Sequence, residues 1–189
     1  MSFHIRLKEA TWEQHKATEK LLFPDKNWTS LSLADYSQFL QIQYVFHQQA
    51  EQQVDTALSA KLKEKLNWPE RRKLGWIESD LGEIGVDIPT GFTNDVAKLS
   101  EEEALGLLYV TEGSMLGGRM IEKVLQNNRQ VAPHTSFHFL SGYGANTSTH
   151  WKSFLDTLEN TTCVPETIIT AARTGFDLFA KSVYLIKVN

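Results

Sequence analysis

The chain has 189 residues, a formal net charge of −4 and one cysteine. That length suits one domain able to bury a core without staples, so residues 1–189 read as a single domain. The lone Cys163 excludes an internal disulfide or a cysteine-paired zinc site, the absence of a basic run excludes a nucleic-acid partner, and no stretch approaches the ~20 apolar residues that cross a bilayer. The opening Met-Ser-Phe-His-Ile-Arg has no apolar signal core, and the expectation is a cytoplasmic protein without a membrane role.

The five prolines fall between periodic segments, so the chain reads as helices joined by short loops. The first helix covers residues 5 to 22. A long second helix starts at Ser32, where Ser32 and Asp35 resemble a capping box, and runs through Phe39, Leu40, Tyr44, His47 and Val54. Pro69 suits the first turn of a third helix carrying Leu74, Ile77, Leu81 and Ile84, with Gly85 as a left-handed stop. Ser100-Glu101-Glu102-Glu103 is the clearest helix start, because serine caps, glutamate follows three residues on, and acidic charge sits at the positive end of the dipole. That helix should reach Asn127. A loop with Pro133 follows, then a short helical piece from Phe137 to Tyr143 ended by Gly142 and Gly144, and helices near Thr149 to Leu158 and Pro165 to Leu185. Strand signals are weak, and the fold class is all-α.

On a helical wheel Leu7, Ala10, Thr18, Leu21 and Leu22 form the buried stripe of the first helix, with His15 at its edge beside Thr11, Leu22 and Glu19. An edge histidine can face a slot between helices. Glu19, one turn on, can take the second imidazole N–H directly or through water, and Lys8, about 10 Å back along the axis, suits a carboxylate at the rim of a large planar ligand. The plainer alternative is a half-buried histidine beside a solvated Glu-Lys face. In the helix after Ser100, Gly106, Gly113 and Gly117 share one face and Gly118 adjoins them. Interior glycine costs about 1 kcal/mol relative to alanine, so the missing side chains must serve close approach. Either another helix packs tightly there or a flat ligand lies on bare backbone, with a kink near Gly117-Gly118.

Leu7-Lys8-Glu9-Ala10-Thr11, followed by His15 and Glu19, resembles the opening of the haem oxygenases, where Thr-x-x-x-His-x-x-x-Glu carries the proximal iron ligand. Leu105-Gly106-Leu107-Leu108-Tyr109-Val110-Thr111-Glu112-Gly113-Ser114-Met115-Leu116-Gly117-Gly118 is similar to the distal helix of the bacterial branch, especially enzymes that accompany bacteriophytochromes. Arg71 to Leu81, Tyr143-Gly144 with Trp151 and Phe154, and the last-helix segment Ala172-Arg173-Thr174-Gly175-Phe176 resemble further blocks, in the family's order. The resemblance implies a multi-helix bundle holding haem b, cofactor and substrate at once, and its O2-dependent cleavage to biliverdin, iron and carbon monoxide. An external electron donor such as a ferredoxin or a flavoprotein is implied, as is a bacteriophytochrome as one receiver of biliverdin.

By the same resemblance His15 is the iron ligand, Gly113, Ser114, Gly117 and Gly118 form the distal wall, and Lys8, Thr11, Glu19, Arg173 and Phe176 contact the haem. Lys8 and Arg173 are the candidates for its carboxylates, with solvated surface charge as the alternative. A neutral imidazole suits oxygenation, whereas a thiolate would push toward O–O cleavage. Arg119 projects from the far side of the wheel and supplies no distal acid. Ser114 stands where animal members carry an aspartate that organises a water chain, and Ser148 where the family tends to have glycine, so the local loop should differ. A haem carrier or sensor without turnover would share His15 and the glycine wall. Thiamin-degrading proteins of similar architecture need a cysteine nucleophile, and Cys163 falls in a loop. His47 reads as a partnered core residue, and His134, His138 and His150 show no metal spacing.

Overall fold

A computed structural model describes residues 2–92, 98–161 and 164–188, and Cys163 lies outside them. Among the described residues there is no strand, and the helices are α1 (Phe3–Leu22), α2 (Leu33–Ala57), α3 (Ala60–Leu66), α4 (Leu74–Glu83), α5 (Glu101–Leu125), α6 (His138–Ser141), α7 (Thr147–Glu159) and α8 (Pro165–Lys187). The strongest local signals act as expected. The Asp35 N–H donates to Ser32 Oγ and the Ser32 N–H to the Asp35 carboxylate, and Ser100 with Glu103 repeats this box at the start of α5. Gly85, Gly142 and Gly144 take the positive φ values of 70°, 47° and 58° that end or turn their segments.

Three local readings change. Pro69 sits in a 3-10 turn, Trp68–Arg71, ahead of α4 rather than inside its first turn. The short α3, capped by Ser59 and stopped by left-handed Asn67, escapes the apolar periodicity because its seven residues carry three lysines and little apolar face. Ser148 lies in the first turn of α7, where no positive φ is required.

The glycines on α5 serve different neighbours. A Cβ on Gly106 would stand 2.5 Å from the Ile168 carbonyl oxygen and 2.7 Å from Ala171 Cβ, so this glycine lets α8 press against α5. Gly175 of α8 returns the contact, its missing Cβ lying 3.0 Å from Val110 and 3.1 Å from Leu107. One apolar cluster, with Leu7, Phe46, Leu105, Leu108, Ile168 and Ala172, fills the space around this seam. A second, with Tyr36, Phe39, Ile77, Leu81 and Phe139, lies among α2, α4 and α6.

Between the clusters lies a buried ionic network. Glu112 accepts from the Arg71 guanidinium at 2.5 Å, Lys73 Nζ at 2.6 Å and the Tyr143 hydroxyl at 2.8 Å. Glu51, also buried, accepts from the backbone N–H of Lys73 at 2.5 Å and pairs with Arg72 at 3.3 Å. Burial alone would raise the Glu112 carboxyl, but the Lys73 and Arg71 charges, with hydrogen bonds from Lys73 and Tyr143, hold it below the ordinary carboxylate range.

His47 adjoins this network and departs from expectation. It is a core residue, with its ring edge-on to Phe46 at 5.1 Å and Phe139 at 5.5 Å, yet neither ring nitrogen has a hydrogen-bond partner among the described residues. Burial first, and the Lys73 charge second, push its pKa well below 6.5. The folded protein therefore keeps His47 neutral where the unfolded chain protonates it, so stability falls as pH drops below about 6.5, by up to about 1.4 kcal/mol per unit. Urea unfolding at pH 7, 6 and 5 should show this slope in the parent and a flatter one in His47→Leu. Identical slopes would remove His47 as its source.

Candidate functional site

Both α1 and α5 lean on α8, and the space left between them is a cavity of about 660 Å³ that also reaches α2 and α6. From α1 it is lined by Lys8, Thr11, Trp12, His15, Thr18, Glu19 and Leu22, whose spacings of three and four put them on one helical face. From α5 come Gly113, Ser114, Gly117 and Gly118, and from α8 Phe176 and Phe179. Nine of the ten residues singled out by sequence thus meet at one cavity. Arg173 does not line it: its Nε donates to the Ala10 carbonyl at 3.0 Å, tying α8 to α1.

The His15 ring is held by aromatic neighbours more than by its predicted carboxylate. It stacks on Trp12 with centroids 5.7 Å apart and planes 6° from parallel, and meets Phe176 edge-on at 6.1 Å. Glu19 Oε1 stands 3.8 Å from Nδ1, too far for a direct hydrogen bond, and both side chains are largely exposed. Such a pair contributes little energy but leaves Nδ1 on the carboxylate side.

The opposite wall is open backbone at two points. A Cβ on Gly117 would meet nothing within 4 Å, and one on Gly113 would touch only the Trp151 ring at 3.8 Å. Gly118 differs, since its missing Cβ points at the Leu140 carbonyl oxygen, 3.0 Å away, and allows α6 to approach. Gly118 is therefore a packing glycine whose backbone also borders the cavity. The helix runs unbroken through Gly117-Gly118. Ser114 donates its hydroxyl proton to the Thr111 carbonyl at 2.8 Å, and Arg119 lies away from the cavity beside Glu122.

Sequence reasoning missed the α2 side, where Phe39, Gln43 and Phe46 form the floor, and the rim residues His4 and Lys26. The available signal was a glutamine on an otherwise aromatic stripe. Lys26 is engaged by Asp35 at 2.7 and 2.8 Å, leaving Lys8 without such a clamp. The His15 imidazole at the edge of a slot walled by glycine backbone and aromatic rings can hold a flat apolar ligand that carries a metal with an open axial position.

His138, Asp80 and Glu83 also come together, with ligand atoms within 4.8 Å of one another. Their lone pairs are occupied by structure: Asp80 accepts from the His138 and Phe139 N–H groups at 2.7 and 2.9 Å, and Glu83 from Ser136 and His138. The cluster caps α6.

Known proteins point the same way. A heme oxygenase from Xanthomonas campestris pv. campestris (strain 8004) is 32% identical over 72 residues, covering 38% of this chain and 42% of that relative's length. The fold resembles the heme oxygenase of Neisseria meningitidis, studied with NO and CO bound, with a TM-score of 0.80 and 24% identity over 98% of this chain and 92% of that one. The heme oxygenase of Leptospira interrogans superposes with a TM-score of 0.75 and 17% identity, covering 97% of this chain and 98% of that one. No helix among the described residues is long and apolar enough to cross a membrane. Residues 1–87 and 89–184 match the family model described as Heme oxygenase, and the chain belongs to that family.

Proposed function

We propose that this chain is a haem oxygenase, converting haem to biliverdin, iron and carbon monoxide, with His15 as the iron ligand. The observation that carries the reading is that His15 on α1 and the bare backbone at Gly113 and Gly117 on α5 line one cavity. Bound haem supplies the iron at which dioxygen is reduced. The chain's own residues supply the rest. With Nδ1 beside Glu19, Nε2 is the nitrogen left for the metal, while Trp12 and Phe176 fix the plane of the ring. Gly113 and Gly117 let the macrocycle lie against the helix and place no side-chain acid over it, and the Ser114 hydroxyl proton stays on its own helix. Phe46, Phe139 and Phe179 give the cavity an apolar lining suited to the macrocycle. Lys8 would pair with a haem carboxylate, and Thr11 lines the cavity three residues further along α1. Electrons come from an external reductant protein, a ferredoxin or a flavoprotein, in the cytoplasm. A bacteriophytochrome is a fitting recipient of the biliverdin. Residues 1–189 act as one domain.

Mixed with hemin, reductant and air, the protein should show an intense Soret band that decays as a biliverdin spectrum grows. A bound spectrum that stays unchanged for many minutes would identify a carrier instead. His15→Ala should weaken ligation and stop efficient turnover, with added imidazole partly restoring the spectrum; parental spectrum and rate would exclude His15 as ligand.

The divided glycine face gives a sharper pair of variants. Gly117→Leu puts a better helix former where a Cβ meets open space, so the haem-free protein should hold or gain up to about 1 kcal/mol while haem binding collapses. Gly106→Leu drives a side chain into the backbone of α8 and should lose stability by at least about 1–3 kcal/mol. Thermal melts of the haem-free proteins, with hemin titrations, read both. A Gly117→Leu variant that binds haem like the parent would remove α5 from the site.

A further inference from the structure

Haem is amphipathic, with two carboxylates on one edge of an otherwise apolar disc, so a cavity that takes it needs one end able to meet two negative charges. The α2 and α6 side is unsuited to this, being lined by Phe39, Phe46 and Phe139. Among the described residues, the histidine and charged side chains that line the cavity are those of His4, Lys8, His15, Glu19 and Lys26. Lys26 is held by Asp35, Glu19 repels an anion, and His15 is the iron ligand of the proposed function. His4 and Lys8 remain, one turn apart on α1.

The surroundings of His4 place it at the slot. Its ring meets Trp151 of α7 edge-on at 5.7 Å, and Trp151 packs in turn against Tyr109 and against the bare backbone of Gly113. His4 therefore stands where α1, α5 and α7 converge. Its backbone N–H is taken by Glu159 of α7 at 3.0 Å, so the ring is the group it can offer. The charges that α8 brings to this end of α1 are engaged: Glu166 pairs with Arg6, and Arg173 donates to the Ala10 carbonyl. On α5 the titratable group is Tyr109, which burial keeps a neutral phenol.

We propose that His4 is the second carboxylate partner: together with Lys8 it receives the carboxylate edge of haem at the Trp151 end of the cavity. The inference rests on the haem oxygenase reading, and it makes haem binding a proton-coupled event. Burial first, and the Lys8 charge second, lower the His4 pKa from 6.5, with Glu159 opposing them, so the ring is neutral in the haem-free protein at pH 7. A carboxylate brought against it favours the imidazolium, and the ring takes a proton from solvent as haem enters. Its contribution to affinity therefore grows as pH falls from 8 toward 6.5.

The test uses the haem-free parent and His4→Phe, which keeps a ring against Trp151 and removes the nitrogens. Each is titrated with hemin and with hemin dimethyl ester at pH 6.5 and 8.0, followed by Soret absorbance. At pH 6.5 the variant should bind hemin about tenfold more weakly, the loss of one charge-assisted hydrogen bond. At pH 8.0 the loss should shrink to about threefold, the worth of a neutral one. Any titration of His15 acts on both proteins and drops out of the ratio. The ester should bind parent and variant alike, which also shows that the variant keeps its fold. Unchanged hemin affinity, or an equal loss for hemin and ester, would overturn the carboxylate assignment, and a loss of the same size at both pH values would overturn the proton uptake. A parent protein that binds neither ligand would overturn the haem oxygenase reading itself and this inference with it.

Discussion

The carboxylate of Glu112 sets the rotation of α5 about its axis, and the site depends on that rotation. Glu112 is gripped by Arg71, Lys73 and Tyr143, and the next residue, Gly113, borders the cavity. Consecutive residues on a helix point about 100° apart, so fixing one fixes the other. Arg71, Lys73, Glu112 and Glu51 share this buried region, and Arg72 pairs with Glu51 from its exposed edge. A network of this kind adds little net stability over an apolar core, but removing one member leaves an uncompensated charge, which makes the arrangement strongly self-consistent.

With α5 held in this way, its glycines divide by neighbour. Gly106 meets the backbone of α8, Gly118 meets that of α6, and Gly113 and Gly117 open on the cavity. The same residue type thus closes the bundle at two points and hollows it at two others. The helix stays continuous because its long apolar seam with α8, reinforced by Gly175, offsets the weak propensity of four glycines.

On the other side, α1 is held to α8 along its length. Arg6 pairs with Glu166, Arg173 reaches the Ala10 carbonyl, and Lys187 reaches the carbonyls of Leu21 and Leu22. These contacts place His15 against Phe176. Arg173 therefore works by positioning the helix that bears the imidazole, and Lys8 remains the cation open to the rim.

Much of this was legible in the residues. The capping boxes at Ser32 and Ser100, the turn glycines 85, 142 and 144, and the all-helical pattern are local, decided by hydrogen bonds and backbone angles within a few residues. His15 and the glycine face were legible as positions on a wheel. A wheel gives direction but not neighbour, so it could not separate Gly106 and Gly118, which meet backbone, from Gly113 and Gly117, which meet space. It also could not place Arg173 on a carbonyl of α1, leave the His47 nitrogens unpaired in the core, or gather Arg71, Lys73 and Tyr143 around Glu112 from separate segments. Sequence alone determined the helices and the chemistry each carries; the packing of α1 and α5 on α8 decided which groups face each other, because only long-range contacts fix how helices are rotated and spaced.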